Sequence, residues 1–85
     1  MKMIAVVFAG FIAGTNANAC ETDTIRSVND DGEIVILNND HVWEIDGIDR
    51  IDTALWLPAE DVLECSDYLI NTDSNGEKAG GHRLR

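Results

Sequence analysis

The chain has 85 residues, 45% of them apolar, with 16 acidic residues against 6 basic ones and a formal net charge of −10. So acidic a surface repels phosphate backbones and anionic lipid, which makes nucleic acid and acidic membranes poor partners. The length leaves room for one domain.

The first nineteen residues have the order of a secretory signal peptide. Lys2 supplies a positive start, residues 3–13 are apolar throughout, and Ala17-Asn18-Ala19 offers small side chains at the cut. An apolar run of that length falls short of the roughly 20 residues that a membrane span needs. The expected organisation is therefore a signal peptide over residues 1–19 and a mature domain over residues 20–85. The short charged start is of the bacterial kind, so the expected destination is the periplasm or the medium. Loss of Lys2 leaves five basic residues against sixteen acidic ones, a net of −11. The acids are spread along the chain, which favours a cationic protein, a basic peptide or a divalent cation as partner, or serves solubility alone.

Cys20 and Cys65 are the only cysteines. In an oxidising compartment they are read as one disulfide that closes most of the mature chain. Lipidation of Cys20 is the alternative, but Ala17 and Asn18 match the usual acylation site poorly and Cys65 would be left unpaired. A reactive thiol wants a basic neighbour, whereas Cys65 lies between Glu64 and Asp67.

The mature chain reads as short β runs cut by turns. Residues 24–28 form the first run, and Asn29-Asp30-Asp31-Gly32 turns the chain. Residues 33–37 form the second, apolar on both faces, followed by Asn38-Asn39-Asp40. Residues 41–45 form the third, and the three predict an antiparallel meander. Ile48, Ile51, Leu55 and Trp56 recur at three- and four-residue steps, which predicts one helical turn over residues 49–56, ended by Pro58. Residues 62–65 and 68–71 are two further strands. A long turn over residues 72–76 leads to a weak segment at residues 77–79, a break at Gly80-Gly81, and a tail that either adds an edge strand through Leu84 or frays. The expected fold is mainly β, a small SH3-like or OB-like barrel of five to six antiparallel strands. Trp43, Trp56, Ile34, Ile36, Leu63 and Ile70 are expected to fill it.

The succession Asp31-Gly32-Glu33-Ile34, His41-Val42-Trp43-Glu44-Ile45, Ala54-Leu55-Trp56-Leu57-Pro58, Asp61-Val62 and Leu69-Ile70-Asn71-Thr72 resembles a group of small exported bacterial proteins with an SH3-like barrel pattern. The resemblance covers nearly all of the mature chain. It implies the barrel and assigns no catalytic residue.

Several clusters carry candidate chemistry. Residues 71–76 have the letters of the first half of a calcium loop, but His82 stands where the closing Glu belongs, and an Asn- and Gly-rich hairpin explains the same letters. Asp46, Asp49 and Asp52 form an acidic cluster, with Asp46 placed to cap the helical turn and Arg50 as local counter-charge. His41 and His82 do not make a zinc signature. No Ser–His–acid set and no phosphate loop is present. Trp56 either lines a peptide groove or plugs one end of the barrel.

The expected function is an exported envelope or secreted module, not an enzyme, that engages a cationic protein or peptide through Asp46, Asp49, Asp52 and Trp56. The alternative is a structural or stress-related accessory that takes a small ligand or divalent cation, or none. No cofactor and no resident metal is called for.

Overall fold

The computed structural model describes residues 20–85; the signal peptide read at residues 1–19 lies outside the described residues. Six strands close into one antiparallel barrel. They are β1 (Glu21–Val28), β2 (Ile34–Leu37), β3 (Val42–Ile45), β4 (Asp61–Glu64), β5 (Tyr68–Asn71) and β6 (Glu77–Arg83). Round the barrel the order is β1-β2-β3-β6-β5-β4, and β4 pairs back with β1. The expected meander is β1-β2-β3. Between β3 and β4 run a 3-10 turn, Gly47–Asp49, and the one-turn helix α1, Arg50–Thr53. Among the described residues no helix is long and apolar enough to cross a membrane.

Turn chemistry sets the meander. Asn29 Oδ1 accepts the Ile34 amide and Asp31 Oδ1 accepts the Glu33 amide. In the next turn Asn39 Oδ1 accepts the His41 amide, and Asp40 takes a positive φ of 74°. Asn and Asp suit such turns because their side chains imitate a backbone acceptor and tolerate the left-handed region.

Closure depends on two strands that each serve two neighbours. Residues 21–24 of β1 pair with β4, and residues 25–28 pair with β2 across a bulge between Ile25 and Ser27. At the opposite corner residues 77–80 of β6 pair with β5 and residues 81–83 pair with β3. Gly80-Gly81, expected as a break, is this second corner, and the strand runs through it. A Cβ on Gly81 would collide with the carbonyl oxygen of Glu44, so β3 and β6 come this close only because a hydrogen stands there. The tail does not fray: Leu84 N donates to Val42 O and Val42 N to Arg85 O.

The core is Ile25, Val35, Leu37, Trp43, Ile45, Trp56, Val62, Leu69 and Ala79. The two tryptophans sit where they were expected. Ile34, Ile36, Leu63 and Ile70 are instead half-buried on the outer face. In β2 Val35 and Leu37 point inward, and in β4 and β5 the inward residues are Val62, Glu64, Leu69 and Asn71. A strand apolar on both faces carries no parity of its own, so the register of its neighbours decides. The bridge between Cys20 and Cys65, 45 residues apart in sequence, ties the start of β1 to the end of β4. In this oxidised form the Cys20 sulfur is committed and leaves no thiol for acylation.

Candidate functional site

The strongest concentration of surface features is the segment that crosses from β3 to β4, residues 46–57. Its inner side is fixed first. Thr53 is fully buried and its hydroxyl donates to Gly32 O at 2.6 Å, which pins α1 beneath the β1–β2 turn. Trp56 is buried and its indole Nε1 donates to Glu77 Oε1 at 2.7 Å. Its ring belongs to the core cluster, so it packs inside the barrel rather than on the surface.

Within α1, at 3.6 residues per turn, Ile51 stands about 200° from Thr53, and Leu55 follows in the turn just past the helix. With Thr53 turned inward they face solvent. Ile48, Ile51 and Leu55 are 87%, 79% and 76% exposed, and Leu57 is exposed beyond them. A helical turn forms within the expected span, but it covers only Arg50–Thr53 and ends before Pro58 is reached, and its apolar face points out of the barrel. Of Ile48, Ile51, Leu55 and Trp56, only Trp56 belongs to the core.

Two of the three aspartates meet at one backbone position. Asp49 Oδ2 accepts the Gly80 amide at 2.9 Å, and Asp46 N donates to Gly80 O at 2.9 Å. The Asp46 carboxylate oxygen lies 2.8 Å from where a Gly80 Cβ would be, so both carboxylates flank the β6 corner. Asp52 stands on α1, one turn further on and half-buried. Asp46 holds the N-cap position of the 3-10 turn, yet its side chain makes no capping hydrogen bond, a departure from the expected cap.

Arg50, expected to balance these acids, does not. Its Nε donates to Ile45 O at 2.8 Å, and its Nη2 lies 3.9 Å from carboxylate oxygens of both Glu33 and Glu44. Three acceptors on the barrel wall outcompete the local aspartates. Among the described residues the ion pairs of Arg50 therefore leave Asp46, Asp49 and Asp52 without a cationic partner.

A second cluster escaped the sequence. Glu64 is buried, and its carboxylate accepts Trp43 Nε1 at 2.6 Å and Asn39 Nδ2 at 3.0 Å and pairs with His41 Nδ1 at 2.8 Å. Burial pushes its pKa up; the hydrogen bonds from Trp43, Asn39 and His41, with the charge of His41, outweigh that and hold it below the ordinary carboxylate value. Arg83 stands beside the same ring, with Nη1 at 3.2 Å from Nδ1 and 3.5 Å from Nε2. The missed signal was parity: once Val62 points inward, so does Glu64.

Residues 71–76 form the hairpin. Asn71 Oδ1 accepts the amides of Asp73 and Ser74, and Asp73 Oδ2 accepts the Asp61 amide, so the oxygens that a calcium loop would offer hold backbone instead. Among the described residues no group of three His, Cys, Asp or Glu is arranged to hold a metal ion.

No family model, no curated protein and no solved structure matches this chain.

Proposed function

We propose that the protein is an exported binding module, working in the periplasm or the medium, that holds a cationic protein or peptide through the acidic face of residues 46–57. The observation that carries this reading is the direction of Arg50. The one basic residue of the segment reaches Ile45 O, Glu33 and Glu44, and leaves Asp46, Asp49 and Asp52 to act on whatever approaches. With sixteen acids on so small a chain, a long-range field would draw a basic partner to this face. The reading assigns the protein no catalytic step. The disulfide fits an oxidising destination. The six-stranded barrel fits the exported SH3-like group that the sequence resembles.

Affinity capture of the tagged protein from its own envelope extract tests it. A basic protein retained at low salt and released at about 0.5 M salt, where exposed charges are screened, is the expected result. Retention should be lost in D46N/D49N/D52N. Retention indifferent to salt would overturn the reading. An empty capture would favour the accessory role, in which the domain is structural or takes a small ligand or cation.

A further inference from the structure

Three places are left unused by the acidic-face reading: the Glu64–His41–Arg83 cluster, the hairpin at residues 71–76, and the row Ile48, Ile51 and Leu55. The first two have their polar groups matched within the chain. The row does not.

Three branched side chains more than three-quarters exposed, close together on one short segment, are the largest concentration of exposed apolar side chains among the described residues. Asp46, Asp49 and Asp52 alternate with them along the same segment, the first two turned toward the Gly80 corner, so the acids stand beside the row rather than within it. A purely cationic ligand would pair with the acids and leave the apolar row wet. A purely apolar ligand would cover the row and bury carboxylates without partners, which is costly. Only a surface carrying both kinds of group satisfies both sets. A second copy of this chain fails that test, because its matching segment brings the same three aspartates, with its Arg50 already committed to Glu33 and Glu44.

We infer that the row Ile48, Ile51 and Leu55 is the docking surface for a basic amphipathic segment of a partner protein, whose apolar side chains cover the row while its Lys or Arg residues meet Asp46, Asp49 and Asp52. The inference rests on the acidic-face reading above and adds what that face recognises. The mode is an apolar row facing an apolar row, with charge fixing register. Exposure of the row also leaves it free to change without loss of core.

The test uses the oxidised, exported protein and two synthetic peptides of equal positive charge, titrated by calorimetry. One is an amphipathic Leu/Lys helix of about 18 residues, five turns. The other is oligolysine. The helix is expected to bind at least about tenfold tighter than oligolysine. I48S/I51S/L55S should remove that preference, keep the thermal midpoint and leave oligolysine binding unchanged. D46N/D49N/D52N should weaken both peptides. Equal affinity of the two peptides for the parent protein, or a preference that survives the serine variant, would overturn the docking row. Oligolysine binding lost in the asparagine variant would then leave the acidic reading standing. Failure of both peptides to bind would overturn the two readings together. A dimer in sedimentation that the serine variant dissolves would give the row to a second copy and overturn the inference.

Discussion

The indole nitrogen of Trp43 donates to the buried carboxylate of Glu64 at 2.6 Å, from β3 to β4. These strands are not neighbours in the barrel, so the bond spans its interior rather than a ladder. Asn39 and His41 bring the β2–β3 turn to the same carboxylate. Glu64 also precedes Cys65 of the disulfide, so two cross-links of different chemistry fasten one end of the barrel.

The network makes stability depend on pH with a definite sign. The folded pKa of Glu64 lies below its unfolded value. Its contribution is therefore complete above the unfolded carboxylate value of about 4.3 and is lost as pH falls through the lower folded value. Urea unfolding at pH 7 should show Glu64→Gln less stable than the parent by about 2 kcal/mol, the scale of hydrogen bonds to a buried charge. In acid the parent protonates Glu64 and the two proteins should converge. A gap that stayed constant from neutral pH to about pH 3 would mean that Glu64 is not ionised in the fold.

Leu69 and Ile70, adjacent in β5, test the inward parity. Leu69 is fully buried, while Ile70 is half-buried opposite Leu63 on the outer face. Leu69→Ala should cost about 3 kcal/mol, transfer and cavity together. Ile70→Ala should cost about 1 kcal/mol, as for partial burial and a cross-strand pair. Equal costs in denaturant unfolding would put both side chains in the interior.

That parity marks where the sequence stopped being legible. Turn residues such as Asn29, Gly32, Asn39 and Asn75 punctuate the chain strongly, so the first five strands could be read, while the last strand and the order round the barrel could not. Ile34-Val35-Ile36-Leu37 is apolar at every position, and its inner face depends on partners that a single strand does not name. Gly80-Gly81 looks like a loop until the Glu44 carbonyl is seen beside it. Ile48, Ile51 and Leu55 have helical spacing, but spacing does not say which way the stripe faces. Thr53 decides that through a bond to Gly32, which lies 21 residues away in the chain. In the candidate site the aspartates could be picked out, while the direction of Arg50 could not.

Gly32 and Gly76 separate crowding from backbone strain. Both have positive φ, 75° and 73°. A Cβ on Gly76 would meet open space, whereas one on Gly32 would collide with Arg50 O and lie 2.6 Å from both Ala54 N and Thr53 Oγ1. Gly76→Ala should therefore cost about 1 kcal/mol, the left-handed penalty alone. Gly32→Ala should cost at least about 3 kcal/mol, because α1 has to move off the turn and Thr53 loses its buried acceptor. Comparable thermal midpoints for the two variants would show that α1 is not seated against the β1–β2 turn.

The disulfide closes a loop that includes four of the six strands entire, β1 to β4, and leaves β5 and β6 outside. In the chain-entropy model a loop of 45 residues stabilises the fold by about 4 kcal/mol. A domain of this size has a total stability of only about 5 kcal/mol, so the bridge is a large share of it. The double variant Cys20→Ser/Cys65→Ser should unfold at much lower urea with the barrel signal intact in its absence, and reductant should lower the parent to the same midpoint. The intact mass of the exported protein should rise by two hydrogens on reduction, with no acyl increment before it. An acyl mass on Cys20 would instead leave Cys65 a free thiol, and reductant would then leave the unfolding midpoint unchanged. The two measurements agree only if one sulfur–sulfur bond both holds the barrel and occupies Cys20.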